Sequence, residues 1–410
     1  MKLAVIGAGS TYTPELVSGL MRERERLAID QLVLHDIDAE RLDVVGGMAS
    51  RMLKRQGYDG ELELSGSLDR ALVGADAILL QIRVGGQAAR LLDEQLPGLC
   101  GCIGQETTGA GGLAKAMRTV PVVLDIAERA RELAADDAWI IDFTNPVGIV
   151  TRALLDHGHR AVGLCNVAIN FQRQIAAHLA VTPDRIVVDQ VGLNHLTWIR
   201  AVWLDGSDVL PNVIERFGGE LAQEIGLPRQ LLNDLGAIPS YYLRYFYAER
   251  AVIEEQRHEE PRAAVVAELE RGLLDLYRDP SVDTKPDLLE QRGGAYYSEA
   301  AIQLLGALFS DTPETLVVDT RNGRALPGLD ADDVVELPAR VDRNGAFPLA
   351  QRPLAPELLG LVQHVAAYER LAAKAASTGD EELARIALMT NPLVREYALA
   401  GELIGQMRGR

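Results

Sequence analysis

Apolar runs that alternate with helix-length stretches constrain this chain more than any other feature. Lys2-Leu-Ala-Val-Ile6, Gln31-Leu-Val-Leu-His-Asp36, Ala75-Asp-Ala-Ile-Leu-Leu80, Ala138-Trp-Ile-Ile-Asp-Phe143 and Ala161-Val-Gly-Leu-Cys165 each have the length and β-rich composition of a short buried strand. Strands separated by helical segments run parallel, because each helix returns the chain to the same edge of the sheet. The expected fold is α/β: an N-terminal Rossmann-like doubly wound parallel sheet over residues 1–168, then a C-terminal mixed α+β domain over 169–410, as in lactate and malate dehydrogenases. In that second half Asn170 to Ala180, Ala263 to Tyr277 and Pro356 to Ala376 read as helices. Arg185 to Gln190 and Leu196 to Leu204 read as strands, and Thr315 to Ala346 as strands and turns.

The first strand runs into Gly7-Ala-Gly-Ser10 and a helix from about Pro14, where the missing proline N–H would be unpaired in any case. Strand, glycine turn and helix N-terminus form a cradle for a pyrophosphate, with Gly7, Gly9, Ser10 and Thr11 as its candidate contacts. Tyr12 stands where the usual fingerprint has a third glycine. Asp36, ending the second strand, can accept from a ribose diol and repels a 2′-phosphate, which favours NAD over NADP. Its other reading is a cap on the turn before the Arg41 helix. From Arg83-Val-Gly-Gly to Gly112 the glycines are so dense that a loop is expected, with backbone that approaches something closely or moves. Arg83 and Arg90 flank its start. Asn145-Pro146 follows another strand at the ligand-binding edge, where Asn145 can bond a nicotinamide ribose or a substrate hydroxyl, or simply make a turn.

A formal net charge of -18 leaves no basic face for nucleic acid, so a phosphorylated ligand would need local arginines. Three cysteines, Cys100, Cys102 and Cys165, make no disulfide framework and point to a reducing compartment. The beginning of the chain has no leader-like pattern and no run approaches a membrane span, so a cytoplasmic protein is expected. Cys165 at a strand end and His195 in Gly192-Leu-Asn-His195 are too far apart in sequence for a local metal knuckle. Either both are structural, or the fold joins them as a two-ligand site with open positions for substrate oxygens.

Gly7-Ala-Gly-Ser-Thr11, Arg83-Val-Gly-Gly86, Gly104-Gln-Glu-Thr-Thr-Gly109, Asn145-Pro146, Leu164-Cys-Asn166, Gly192-Leu-Asn-His195, Ile238-Pro-Ser-Tyr-Tyr-Leu243 and Arg292-Gly-Gly294 occur in one order over nearly the whole chain. The set resembles glycoside hydrolase family four, in particular its 6-phospho-β-glucosidase branch, an exception to two-carboxylate glycoside hydrolysis. The resemblance implies transient oxidation of the sugar at carbon 3 by NAD, proton abstraction at carbon 2, loss of the aglycone from carbon 1 and addition of water. It implies a divalent metal, manganese by family analogy, held by Cys165 and His195, with Tyr242 as the base and Tyr241 as its alternative. It further implies that Asn166 binds substrate and that the protein is a homodimer or homotetramer; Arg292, with a glycine pair behind it, either binds the 6-phosphate through a charge-assisted fork or has a surface role. Ala168 departs from this branch, which often has proline there. Competing readings are a 2-hydroxy-acid NAD dehydrogenase, a non-enzymatic NAD sensor, and a family member acting on an unphosphorylated sugar or uronide.

Overall fold

The computed structural model describes residues 1–293 and 296–408, so Gly294 of the glycine pair lies outside the described residues. One sheet of 13 strands organises them. Its first half comprises β1 (Lys2–Ile6), β2 (Gln31–His35), β3 (Glu61–Ser65), β4 (Ala77–Leu80), β5 (Trp139–Asp142) and β6 (Ala161–Gly163). These pair in the order β3-β2-β1-β4-β5-β6, every neighbour parallel. That is the doubly wound arrangement, with its switch point between β1 and β4. The central strands are mostly apolar because helices cover both faces. Ala4 and Ile6 face one core, and Leu3 and Val5 the other, as the two-residue repeat of a strand requires.

The sheet continues past β6 with antiparallel strands: β7 (Ile186–Leu193), β8 (Leu196–Leu204), β9 (Ser207–Asp208), β10 (Ile238–Pro239), β11 (Glu314–Arg321), β12 (Val334–Asp342) and β13 (Gly345–Pro348). Asp319 of β11 pairs with Gly163 of β6, and Glu336 of β12 pairs with both Asp319 and Gly192 of β7. Leu193 and Leu196 close a hairpin whose two turn residues are Asn194 and His195. His195 sits in the left-handed region at φ +60°, which a histidine enters more readily than a branched residue. The fold thereby lifts an imidazole out of the end of a rigid hairpin.

One strand is unexpected, and one expectation needs correction. Glu61-Leu-Glu-Leu-Ser65 is an unanticipated edge strand; its half-exposed surface carries acids, which edge strands tolerate and buried ones do not. The glycine-rich stretch is not one loop. It contains the helix Gly86–Leu99 and the first turns of the helix Gly109–Leu133. Some of the glycines serve close packing: a Cβ on Gly104 would lie 1.7 Å from the Glu94 carbonyl oxygen, and one on Gly111 would lie 2.3 Å from those of Asp93 and Gln105.

Candidate active site

A cleft of about 2070 Å³ opens along the carboxyl ends of the parallel strands. Gly7 after β1, Asp36 after β2, Arg83 after β4, Asn145 after β5 and Asn166 after β6 all line it, joined by Tyr241, Tyr242 and Arg292 from the second half. Gly7 has φ +94°, and a Cβ there would stand 2.8 Å from the Gln81 carbonyl oxygen. The turn is held by Gln81 Nε2, which donates to the Gly7 carbonyl at 3.2 Å, and by Arg41 Nε, which donates to that of Gly9 at 3.0 Å. Gly9 and Ser10 line the cleft. Thr11 does not: it is fully buried, and its carbonyl accepts from the Tyr277 hydroxyl at 2.8 Å. Asp36 accepts the Gly9 N–H at 2.8 Å, tying the second strand to the glycine turn. The following helix Ala39–Arg55 is capped instead by Asp38, whose carboxylate accepts from Arg41 N–H at 3.0 Å. Asn145 precedes a cis peptide to Pro146, and its buried Oδ1 has no protein donor. An unpaired acceptor at this edge suits a ligand hydroxyl.

Cations converge deeper in the cleft. Glu106 accepts from Arg83 Nη1 at 2.5 Å and from Lys115 Nζ at 2.5 Å, and Arg90 Nε lies 3.1 Å from its other oxygen. Burial alone would raise the Glu106 carboxyl, but Arg83, Lys115 and Arg90 overcome it and hold the group well below the usual carboxylate range. Burial pulls Lys115 to about 8, against the attraction of Glu106. Arg292 Nη2 donates to Glu270 at 3.1 Å, while its buried Nε has no protein acceptor. Glu270 also accepts from Gln87 at 3.0 Å.

Tyr242 joins the two halves of the candidate metal site. Its ring stacks on His195 with centroids 3.6 Å apart and planes 9° apart, and it packs against the buried cluster that contains Cys165. Burial, then Cys165 and Tyr245, push its phenol well above 10. Tyr241 meets it edge-on at 5.7 Å but is exposed, with the Arg244 guanidinium 5.6 Å over its ring. His195 Nδ1 lies 2.9 Å from Thr107 Oγ1, and burial pulls the imidazole down to about 3, so it is neutral at physiological pH. The Cys165 thiol is pushed up by burial and by Glu336, although the N–H groups of Val167 and Asn166 bond its sulfur. Those two residues begin the helix Val167–Leu179, whose N-terminus favours a thiolate.

One neutral imidazole and one thiol beside helix-terminal N–H groups are a fitting donor pair for a divalent transition ion. Among the described residues no three His, Cys, Asp or Glu side chains are grouped to hold a metal, so further ligands would be substrate or water oxygens. Sequence reasoning missed Glu106, Lys115, Thr107 and Glu270. Lys115 left a trace, as the single charge in Gly109-Ala-Gly-Gly-Leu-Ala-Lys-Ala-Met117. Glu270 left none among the many acids and arginines of the helix Arg262–Arg278.

The strand order, glycine turn and acid-tipped second strand define a dinucleotide-binding α/β protein of the dehydrogenase type. A malate dehydrogenase from Cryptosporidium parvum shares the fold, with TM-score 0.57, 13% identity and 92% and 99% of the two chains covered. Residues 2–181 match the model for family 4 glycosyl hydrolase, and residues 190–394 that for the family 4 glycosyl hydrolase C-terminal domain. The chain belongs to the family 4 glycosyl hydrolases. It is 39% identical to a probable 6-phospho-beta-glucosidase of Bacillus subtilis, over 99% of this chain and 95% of that one. The 6-phospho-beta glucosidase of Thermotoga maritima, solved with manganese, NAD+ and glucose-6-phosphate, superposes with TM-score 0.92 at 33% identity, covering 100% and 98%. Among the described residues no helix is long and apolar enough to cross a membrane.

Proposed function

We propose that this chain hydrolyses 6-phospho-β-glucosides by oxidation, elimination and hydration, with NAD and a divalent metal such as manganese as cofactors. The stack of Tyr242, which lines the dinucleotide cleft, on His195, with Cys165 near enough to raise its phenol, carries the reading. Gly7, Gly9 and Ser10 would hold the pyrophosphate, Asp36 the adenosine ribose, and Asn145 a nicotinamide-ribose or sugar hydroxyl. NAD, when bound, supplies a reversible two-electron oxidant for carbon 3 of the sugar. The divalent metal, at Cys165 and His195, supplies positive charge to the adjacent sugar oxygens and to the Tyr242 phenol.

Tyr242 takes the carbon 2 proton, which a ketone at carbon 3 acidifies, and the aglycone leaves carbon 1 with the bonding pair. Water then adds across the unsaturated ketone, Tyr242 returns the proton to carbon 2, and the hydride taken from carbon 3 is given back to it, so the sugar leaves at its original oxidation level. Stacking on His195 fixes the phenol plane, so little ordering remains for the transfer step. The 6-phosphate would meet the unpaired Arg292 Nε, with Arg83 and Arg90 adding charge nearby. Asn166 would bond a sugar hydroxyl beside the thiol. A cytoplasmic homodimer or homotetramer belongs to the same proposal and rests on the family resemblance alone.

The test is release of p-nitrophenol from its 6-phospho-β-glucoside, with NAD and manganese each present or omitted. Release that needs both is expected. Release from the unphosphorylated glucoside alone would discard the phosphate pocket. Net NADH accumulation on a hydroxy acid, without glycoside cleavage, would overturn the proposal.

A further inference from the structure

The segment Gln105-Glu-Thr107 and the His195 hairpin meet in a short chain of hydrogen bonds that admits one consistent set of protons. The backbone N–H of Thr107 lies 2.5 Å from the side-chain amide of Gln105. A backbone N–H only donates, so the Gln105 atom facing it is the carbonyl oxygen Oε1. That same oxygen is 2.8 Å from Thr107 Oγ1 and only accepts, so the hydroxyl is its donor. A hydroxyl has a single proton. At its other contact, 2.9 Å to His195 Nδ1, Thr107 Oγ1 can therefore only accept. The alternative would leave two lone-pair-bearing oxygens facing each other with no proton between them.

We infer that Gln105 and Thr107 are positioning residues that lock His195 in the Nδ1–H tautomer and leave Nε2 as its one coordinating atom. The inference rests on the proposal that His195 ligates the metal, and it gives that site a second layer of support. An imidazole that binds a metal through one nitrogen commonly donates from the other, and the partner fixes both tautomer and ring orientation. Here the stack on Tyr242 restrains the ring plane and the Thr107 contact restrains rotation within it. His195 holds a left-handed backbone at the hairpin tip, so its side chain depends on such restraints rather than on the strand. The arrangement also explains why Gln105 and Thr107 occur next to Glu106: one short segment anchors the cation cluster and orients the imidazole.

Two measurements decide it. Nitrogen-15 NMR of the full-length, metal-free protein, labelled at histidine and assigned with His195→Ala, reads the tautomer directly. Protonated Nδ1 is expected at His195, and protonated Nε2 would overturn the inference. Titration with Mn²⁺ alone, followed by the electron paramagnetic resonance of free ion, reads the positioning role. T107V should weaken Mn²⁺ binding roughly 10- to 100-fold while T107S restores it and NAD affinity stays unchanged in both. Unaltered Mn²⁺ binding by T107V would remove the positioning role. His195→Ala separates the two levels: if it binds Mn²⁺ like the wild type, the metal-ligand reading fails, and the tautomer stands or falls on the NMR result.

Discussion

Asp142 ends β5 with its side chain fully buried, and burial raises its carboxyl from 3.8 to about 8 although Thr144 and Thr151 hydrogen-bond it. Its oxygens accept from the Thr144 N–H at 2.8 Å and the Thr151 hydroxyl at 3.1 Å, and among the described residues no cation hydrogen-bonds it. In the unfolded chain the group ionises near its ordinary value; in the fold it keeps its proton to about pH 8. The folded form therefore holds a proton that the unfolded form has lost. Its contribution to stability is complete below about pH 4 and is lost as pH rises to about 8, at about 1.4 kcal/mol per pH unit. An asparagine in its place would be neutral in both states, its Oδ1 accepting the Thr144 N–H and its Nδ2 donating to the Thr151 hydroxyl, so D142N should escape this loss. Between pH 5 and 8 the stability of D142N relative to the wild type should rise by about 4 kcal/mol. For 410 residues, with an unfolding entropy of roughly 2.1 cal/mol/K each, that is a relative shift of about 5 °C in Tm. Thermal unfolding of both proteins at pH 5, 6, 7 and 8 measures it. A gap independent of pH would mean that Asp142 is ionised in the fold, and the burial argument would fail.

Y242F should lower kcat by roughly 10²- to 10⁴-fold, the usual worth of a positioned base, with NAD affinity unchanged by fluorescence titration. A normal rate would transfer the role to Tyr241. C165S should abolish metal-dependent turnover in a steady-state assay across a manganese titration while leaving NAD binding intact; equal activity would sink the metal assignment. G7A would force a Cβ to within 2.8 Å of the Gln81 carbonyl at φ +94°. It should cost about 1–3 kcal/mol in thermal or denaturant unfolding and weaken NAD binding in calorimetry.

What is legible in the sequence is what local chemistry dictates. Apolar runs such as Leu3–Ile6 announce strands buried on both faces, and a glycine turn or an acid at their ends announces where a ligand sits. The edge strand Glu61–Ser65 is hard to see because half-exposed positions let charge interrupt the apolar pattern. The helix Gly86–Leu99 is hidden by its own start, where Gly85 and Gly86 take positive φ and read as a loop. Cys165, His195 and Tyr242 are nameable only through motif order, since the sheet that gathers them pairs residues far apart in the chain. The Glu106 cation cluster and the Thr107–His195 contact depend on such long-range placement, and no spacing encodes them. Thr11, by contrast, sits in the right motif yet turns its side chain into the core.

The order of bond breaking at the sugar separates oxidation and elimination from direct hydrolysis. A p-nitrophenyl 6-phospho-β-glucoside carrying deuterium at carbons 2 and 3 should be cleaved more slowly than its unlabelled form in kcat/KM, because both carbon–hydrogen bonds break before the aglycone is lost. Equal kcat/KM for the two substrates, with release continuing after NAD is removed, would mean direct displacement at carbon 1 and would contradict the role given to Tyr242 and to the dinucleotide cleft.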